Sequence, residues 1–245
     1  MRKTWEYGQD IVEFTTLENS CVYQPGKKMK MSYKYIKNPT LSLNSKLIRE
    51  GWRRFGKYFS RPACDGCSDC LSLKIDVKNF KLSKSQKRVY KKNKNTKIII
   101  RKPSVTKEHL DLYTRYHSYK EQKDGWEKTQ ISFSTYEDLY IAGSSFYGKE
   151  ILYFHDGKLV GVDLVDFLED GISAIYFYYD PDYLHLSLGK YSLLKEIDFA
   201  KELDLDWIYL GYAVKSCKSL NYKFDYKPHK ILQNYPKSGE EAIWI

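Results

Sequence analysis

The pattern of apolar and polar positions changes texture near residue 97. Upstream, apolar residues fall in short clusters broken by turn signals at Pro25-Gly26, Asn38-Pro39 and Asp65-Gly66, so this part reads as largely irregular. It predicts one helix over about Asn44 to Glu50, stopped near Gly51, and one short strand at Leu73 to Val77, where apolar and polar side chains alternate. Ser83 stands three residues before Gln86, a capping box that predicts a helix running to about Asn93. Downstream the pattern is regular. Thr106 caps a predicted helix through Gln122, with Leu110, Leu112, Tyr113, Tyr116 and His117 forming a broad apolar side. Ser134 and Glu137 read as a second capping box, for a short helix ending near Gly143. Three strands follow, Ile151 to His155, Leu159 to Phe167 and Ser173 to Tyr179. Turns at Asp156-Gly157 and Asp170-Gly171 make them an antiparallel meander. A helix from Ser187 to Leu203 carries Leu193, Leu194, Ile197 and Ala200 on its inner face; a strand at Trp207 to Tyr212, a short helix and a last strand complete the pattern.

Helix, helix, three-strand meander, helix, strand, helix, strand is the element order of N-acetyltransferase (GNAT) folds. The expectation is therefore an α/β (α+β) protein with a mixed sheet in a GNAT-like C-terminal domain, residues 97–245. A smaller cysteine-containing N-terminal domain, residues 1–96, precedes it. Acetyltransferases hold a pyrophosphate on backbone N–H groups of a Q/R-x-x-G-x-G/A loop at a helix start. Here the equivalent segment reads HLSLGKYS; it keeps Gly189 but has Tyr191 at the second glycine. Coenzyme A is not expected, and a different acyl carrier is.

Charge narrows the carrier. The chain of 245 residues has 41 Lys+Arg against 31 Asp+Glu, a net charge of +10, which favours an anionic partner. The first twenty residues hold no apolar stretch for a signal sequence, and nowhere does an apolar run approach the roughly 18 residues of a membrane span. A cytoplasmic protein with no membrane partner is expected, its thiols reduced. Cys64, Cys67 and Cys70 then read as convergent thiolates for a metal, with Cys21 as the fourth, suited to zinc or an iron–sulfur cluster. Shortly after them, the helix from Ser83 places Lys84, Lys87 and Lys91 on one face with Arg88 and Lys92 beside it. A helix this basic buries little and repels itself, so it reads as a phosphate-binding surface for nucleic acid.

Several motifs then carry a family resemblance in consistent order. CVYQPG (21–26), GWRRFGKYFSRPACDGCSDC (51–70), SKSQKRVYKKN (83–93) and LYTRYH (112–117) come first. VDFLEDGISAIYFYYDPDYLHLSLGKYSLL (165–194) and YLGYAVKSCKSLNYK (209–223) follow. Over this span the chain resembles the aminoacyl-tRNA–protein transferases of the N-degron pathway, in their compact bacterial form. The resemblance implies transfer of an aminoacyl group from charged tRNA to the N-terminal amine of proteins beginning with Asp or Glu. The compact form is associated with leucine and longer eukaryotic relatives with arginine, so arginyl-tRNA is the alternative donor. Gln24 stands where the eukaryotic relatives carry a second cysteine, so their cluster does not transfer to this chain by resemblance alone.

Aminolysis of an aminoacyl ester asks for little beyond positioning. An α-amine of pKa about 7.7–8.0 is partly neutral at cytosolic pH, and orientation supplies up to roughly 7–11 kcal/mol of the barrier reduction. No cofactor is required for the transfer itself. No Ser-His-Asp or Cys-His set is evident, and the candidate catalytic residues are Asp166, Tyr191, Asn221 and Lys223. Asp163 and Asp166, three apart in one strand, fall on opposite faces, so at most one is expected toward the core or cleft. An acidic acceptor calls for a guanidinium or ammonium: Arg53, Arg54, Arg61 or Lys223, with Gly189 and Tyr222 completing the substrate-binding set. A different class remains open, a metal-stabilised RNA-binding protein without catalysis.

Overall fold

The computed structural model describes residues 1–6 and 9–245. In the N-terminal part, β1 (Arg2–Glu6), β2 (Gln9–Thr15), β5 (Met31–Ile36), β6 (Arg53–Phe55) and β7 (Tyr58–Pro62) form an antiparallel sheet of order β1-β2-β5-β7-β6. A two-stranded ribbon, β3 (Asn19–Ser20) with β4 (Lys28–Met29), precedes β5. This region is therefore sheet rather than the irregular segment expected. Its apolar residues are too few per strand to stand out. They alternate only well enough to pair Ile11 with Ile36 and bury both against Leu43 and Leu47 of helix α1 (Leu41–Arg49), with Trp52 and Phe59. Thr40 caps α1 by accepting from the Leu43 N–H.

The second sheet has seven strands in the order β14-β8-β13-β12-β11-β10-β9. Its strands are β8 (Leu71–Asp76), β9 (Lys97–Arg101), β10 (Gly148–His155), β11 (Lys158–Phe167), β12 (Gly171–Tyr179), β13 (Trp207–Ala213) and β14 (His229–Ile231). All neighbours are antiparallel except β12 and β13, which run parallel across helix α5 (Leu188–Glu202). The meander, its turns and the crossover helix match the sequence expectation. A division at 96/97 does not follow this layer, because β8 is hydrogen-bonded between β13 and β14.

Helices cover both faces. On one, α5 and the basic helix α2 (Lys84–Lys92) pack over Leu73, Ile75, Ile151, Ile172 and Ile208. On the other, α3 (Lys107–Asp124) lies over a tyrosine-rich layer that includes Tyr113, Tyr136, Tyr140 and Tyr178. The short helix expected from Ser134 is capped instead by Ser132, whose hydroxyl accepts from the Thr135 N–H. It runs as α4 (Phe133–Tyr136) into a π-helical turn at Glu137–Ile141. The capping box on α2 forms as read: Ser83 Oγ accepts from the Gln86 N–H and Gln86 Oε1 from the Ser83 N–H.

One irregularity positions everything that follows. β12 and β13 pair only from Gly171 to Ser173, opposite Trp207 to Tyr209. Beyond that point β12 continues to Tyr179 and β13 to Ala213 without pairing to each other. The strands part, and their facing backbone groups need other partners.

Candidate active site

Cations from outside the sheet occupy the opening. Arg53 on β6 donates from Nη2 to the Ile175 carbonyl of β12 at 3.2 Å. Its Nη1 is shielded from water and has no hydrogen-bond partner among the described residues. Gly211 is the residue of β13 that makes room: a Cβ there would lie 2.0 Å from Arg53 Nη1, and its φ of +65° favours glycine independently. From the other side Lys223 donates to the carbonyls of Leu210 and Tyr212 at 2.7 and 2.6 Å. The 3-10 turn Asn221–Asp225 aims this ammonium inward, and burial pushes its pKa well below the usual lysine range. Asn221 and Tyr222 share this turn, Asn221 exposed and Tyr222 42% exposed.

Beneath this lie two acids. Asp163 on β11 and Glu196 on α5 are 1% and 3% exposed, and their carboxyl groups are in hydrogen-bonding contact. Two adjacent buried carboxylates cannot both be charged, so the pair shares a proton. Burial raises Asp163 to about 7; burial and then the Asp163 charge raise Glu196 well above the usual range. No donor reaches Asp163 Oδ2, Glu196 Oε2 or the hydroxyl of nearby Tyr153 among the described residues. The Tyr222 hydroxyl feels the charges of Glu196, Arg53 and Asp163, which places it over the pair.

The other expected residues are placed in different ways. Asp166 is not a free base. Arg54 holds it through Nε–Oδ2 and Nη2–Oδ1 bonds of 2.6 and 2.7 Å, and Asn44 adds a third at 3.0 Å. Arg54 is thereby committed as well, also donating to the Gly56 carbonyl, and neither side chain is open to substrate. Asp163 and Asp166 do point to opposite faces, but both faces are buried, because the N-terminal part covers the second one. Tyr191 is a packing residue, edge-on to Tyr90 at 5.9 Å and to Tyr153 at 5.8 Å. Gly189 is exposed on the first turn of α5. Arg61 lies over the Trp52 ring at 4.4 Å; its Nη1 is buried without a hydrogen-bond partner among the described residues, and the Glu50 carboxylate is near enough to offset part of its burial.

The five basic residues of α2, Lys84, Lys87, Arg88, Lys91 and Lys92, are all exposed. The helix is anchored by Val89 in the core and by the Tyr90 hydroxyl, which donates to the Leu194 carbonyl. Lys92 also donates to the His185 carbonyl at 3.0 Å. The cysteines stand close to the opening. The Tyr23 hydroxyl has Cys70, Arg53, Cys217 and Cys21 among its neighbours. Burial, then Cys21, Cys64 and Cys67, push the Cys70 thiol up to about 12. The thiols are thus gathered, yet among the described residues no three His, Cys, Asp or Glu side chains are set around a common point to hold a metal ion.

Glu196 was missed in the sequence, although the signal was present. It follows Leu193 by three and precedes Ala200 by four, a carboxylate inside the apolar stripe of α5.

The family comparisons agree with this architecture at both ends. The family described as arginine-tRNA-protein transferase matches its N-terminal part at residues 19–88 and its C-terminal part at residues 108–233. The chain is 50% identical to an aspartate/glutamate leucyltransferase of Campylobacter jejuni (strain 81-176), over 95% of this chain and 98% of that one. It is 42% identical to the same-named protein of Helicobacter hepaticus, over 96% and 97%. Among solved structures, FemX aligns with a TM-score of 0.44 at 7% identity, over 70% of this chain and 55% of that one. The chain belongs to the aminoacyl-tRNA–protein transferase family.

Proposed function

We infer that this chain transfers leucine from leucyl-tRNA to the N-terminal α-amine of proteins beginning with Asp or Glu, marking them for degradation through the N-degron pathway. The observation that carries this reading is the near full-length similarity to proteins named for that transfer. The opening between β12 and β13 supports it as the place of reaction. It is an acyltransferase-like gap, GNAT-like in its meander and crossover helix, with no glycine pair for a pyrophosphate.

In this reading the exposed cations of α2 hold the tRNA backbone. Arg53 and Arg61, each with an uncommitted Nη1, receive the acidic side chain of the acceptor. The tetrahedral oxyanion forms beside Arg53, whose charge stabilises it in a site poor in water, with the buried amino group of Lys223 on the other side. The reaction belongs in the cytoplasm with its charged tRNA, and among the described residues no helix is long and apolar enough to cross a membrane. Zinc or an iron–sulfur cluster on Cys21, Cys64, Cys67 and Cys70 would supply a rigid tie for the loop. It takes no step in the transfer, and the gathered thiols would have to turn to converge on it.

The test offers purified protein labelled leucyl-tRNA and arginyl-tRNA side by side, with peptides beginning Asp, Glu or Lys. Leucine transfer to the Asp and Glu peptides is the expected result. Equal or better arginine transfer overturns the donor, and transfer to Lys overturns the acceptor. RNA retention without transfer makes the chain a binding protein.

A further inference from the structure

We propose that Asp163 and Glu196 are the proton-accepting pair of the transfer reaction, reached from the acceptor amine through the Tyr222 hydroxyl. The proposal rests on the aminoacyl-transfer reading and adds the residues that move the proton.

A structural acid pair is normally saturated by donors. This one is closed only on itself: the two carboxyls contact each other, and no donor from another residue reaches Asp163 Oδ2 or Glu196 Oε2 among the described residues. The nearest cations do not neutralise it directly. Arg53 donates to the Ile175 carbonyl and Lys223 to the carbonyls of Leu210 and Tyr212. Arg54 and Asp166 show the alternative within the same chain, a buried acid closed off by a bidentate guanidinium. The pair is therefore not tied up by any cation, although Arg53 and Lys223, which line the opening, are close enough to act on it. The groups that face it are Arg53 from β6, Tyr153 from β10, Tyr222 and Lys223 from the 3-10 turn, and Tyr226 just after it. The Asp163 value of about 7 sits near working pH, where a base is most effective.

The proton balance closes without an outside reagent. The neutral α-amine nitrogen bonds to the ester carbonyl carbon, and the bond from that carbon to the tRNA ribose oxygen breaks. As the nitrogen sheds a proton to Tyr222 Oη, Tyr222 passes its own to the pair. The departing ribose oxygen takes a proton back by the same route and leaves as a hydroxyl, so the pair ends as it began.

The experiment measures transfer to an Asp-initial peptide, at limiting peptide and saturating leucyl-tRNA, from pH 5.5 to 8. Wild type is compared with Asp163→Asn, Glu196→Gln and Tyr222→Phe, with circular dichroism confirming each fold. In wild type two groups must lose a proton, the amine and the pair, so the logarithm of the rate falls with a slope of two on the acid side. Each amide variant should lower the rate roughly 100-fold or more and reduce that slope to one, leaving the amine alone. A merely structural role would lower stability and give a slope of one in wild type and variants alike. Tyr222 is exposed enough for its variant to fold, and Tyr222→Phe should lose rate by a similar factor. Rates within threefold of wild type, a wild-type slope of one, or a retained slope of two in the amide variants overturn the pair; an unaffected Tyr222→Phe overturns the route. Wild type that transfers no leucine overturns the functional reading instead.

Discussion

Arg54 grips Asp166 through two hydrogen bonds of 2.6 and 2.7 Å, at 2% and 0% exposure. The pair ties strand β6 of the N-terminal part to strand β11 of the main sheet. Removing one partner of such a pair leaves a buried charge uncompensated. Asp166→Ala or Arg54→Ala should therefore cost about 3–5 kcal/mol of unfolding free energy, read from urea denaturation. The double replacement Arg54→Met with Asp166→Leu should cost clearly less than the sum of the two. Additive losses would show that the pair does not act as a unit.

The basic helix makes a separate prediction. Replacing Lys87, Arg88 and Lys91 together with Gln keeps helix propensity and removes three exposed charges. Every phosphate left without its cation takes about 0.7–0.9 from the slope of log affinity against log salt, so the slope for tRNA should shrink by roughly 2 to 3. Val89 is left in place, so the melting temperature should hardly change. An unchanged affinity and slope in filter binding would take the helix out of the tRNA interface.

The C-terminal layer was legible because its strands and crossover helix are long and periodic, and its hairpins carry Asp-Gly turns. The N-terminal sheet was not. Its strands are short and half-buried, and Ile11 finds its partner only at Ile36, on a strand beyond any local pattern. The site was legible in part. Arg53 and Lys223 stood out as cations near family motifs. Asp166 looked equally promising, because sequence cannot say that Arg54 comes to meet it 112 residues away. Glu196 went unread because an acid in an apolar stripe gains meaning only once Asp163 faces it. Tyr191, read as functional from a missing glycine, proved to be a ring among rings.

The acid pair also predicts how stability follows pH. Asp163 ionises near 3.8 when unconstrained and at about 7 when folded, so between those values the folded state binds the extra proton. Its contribution to stability is then fully present below about pH 4 and is lost as pH rises through about 7. His117 works the other way, since burial lowers it to about 4 and the neutral ring favours the fold as pH rises. The difference between wild type and Asp163→Asn isolates the pair. From pH 4.5 to 7.5, unfolding free energy should move in favour of the variant, on the order of 1–4 kcal/mol. A difference independent of pH would mean that the acids are not held at a shared proton.

The last prediction concerns the cysteines. Without metal, Cys70 should be the slowest of the four thiols to alkylate at pH 7.5, because its thiol is raised to about 12. With metal, all four should be protected together and released together by a chelator. Protein purified without air should carry zinc or iron, the latter with visible absorption, and Cys67→Ser should lose it. Because the thiols stand near Tyr23 and Arg53 but outside the acid pair, the loss should show first in melting temperature. Leucine transfer by the folded variant should persist, and its acid-side slope should remain two. Wild type with neither metal, together with graded alkylation led by the other three thiols, would establish Cys21, Cys64, Cys67 and Cys70 as a reduced thiol cluster. Metal in the wild type and a Cys67→Ser variant that folds yet transfers nothing would instead bring the cluster into the reaction.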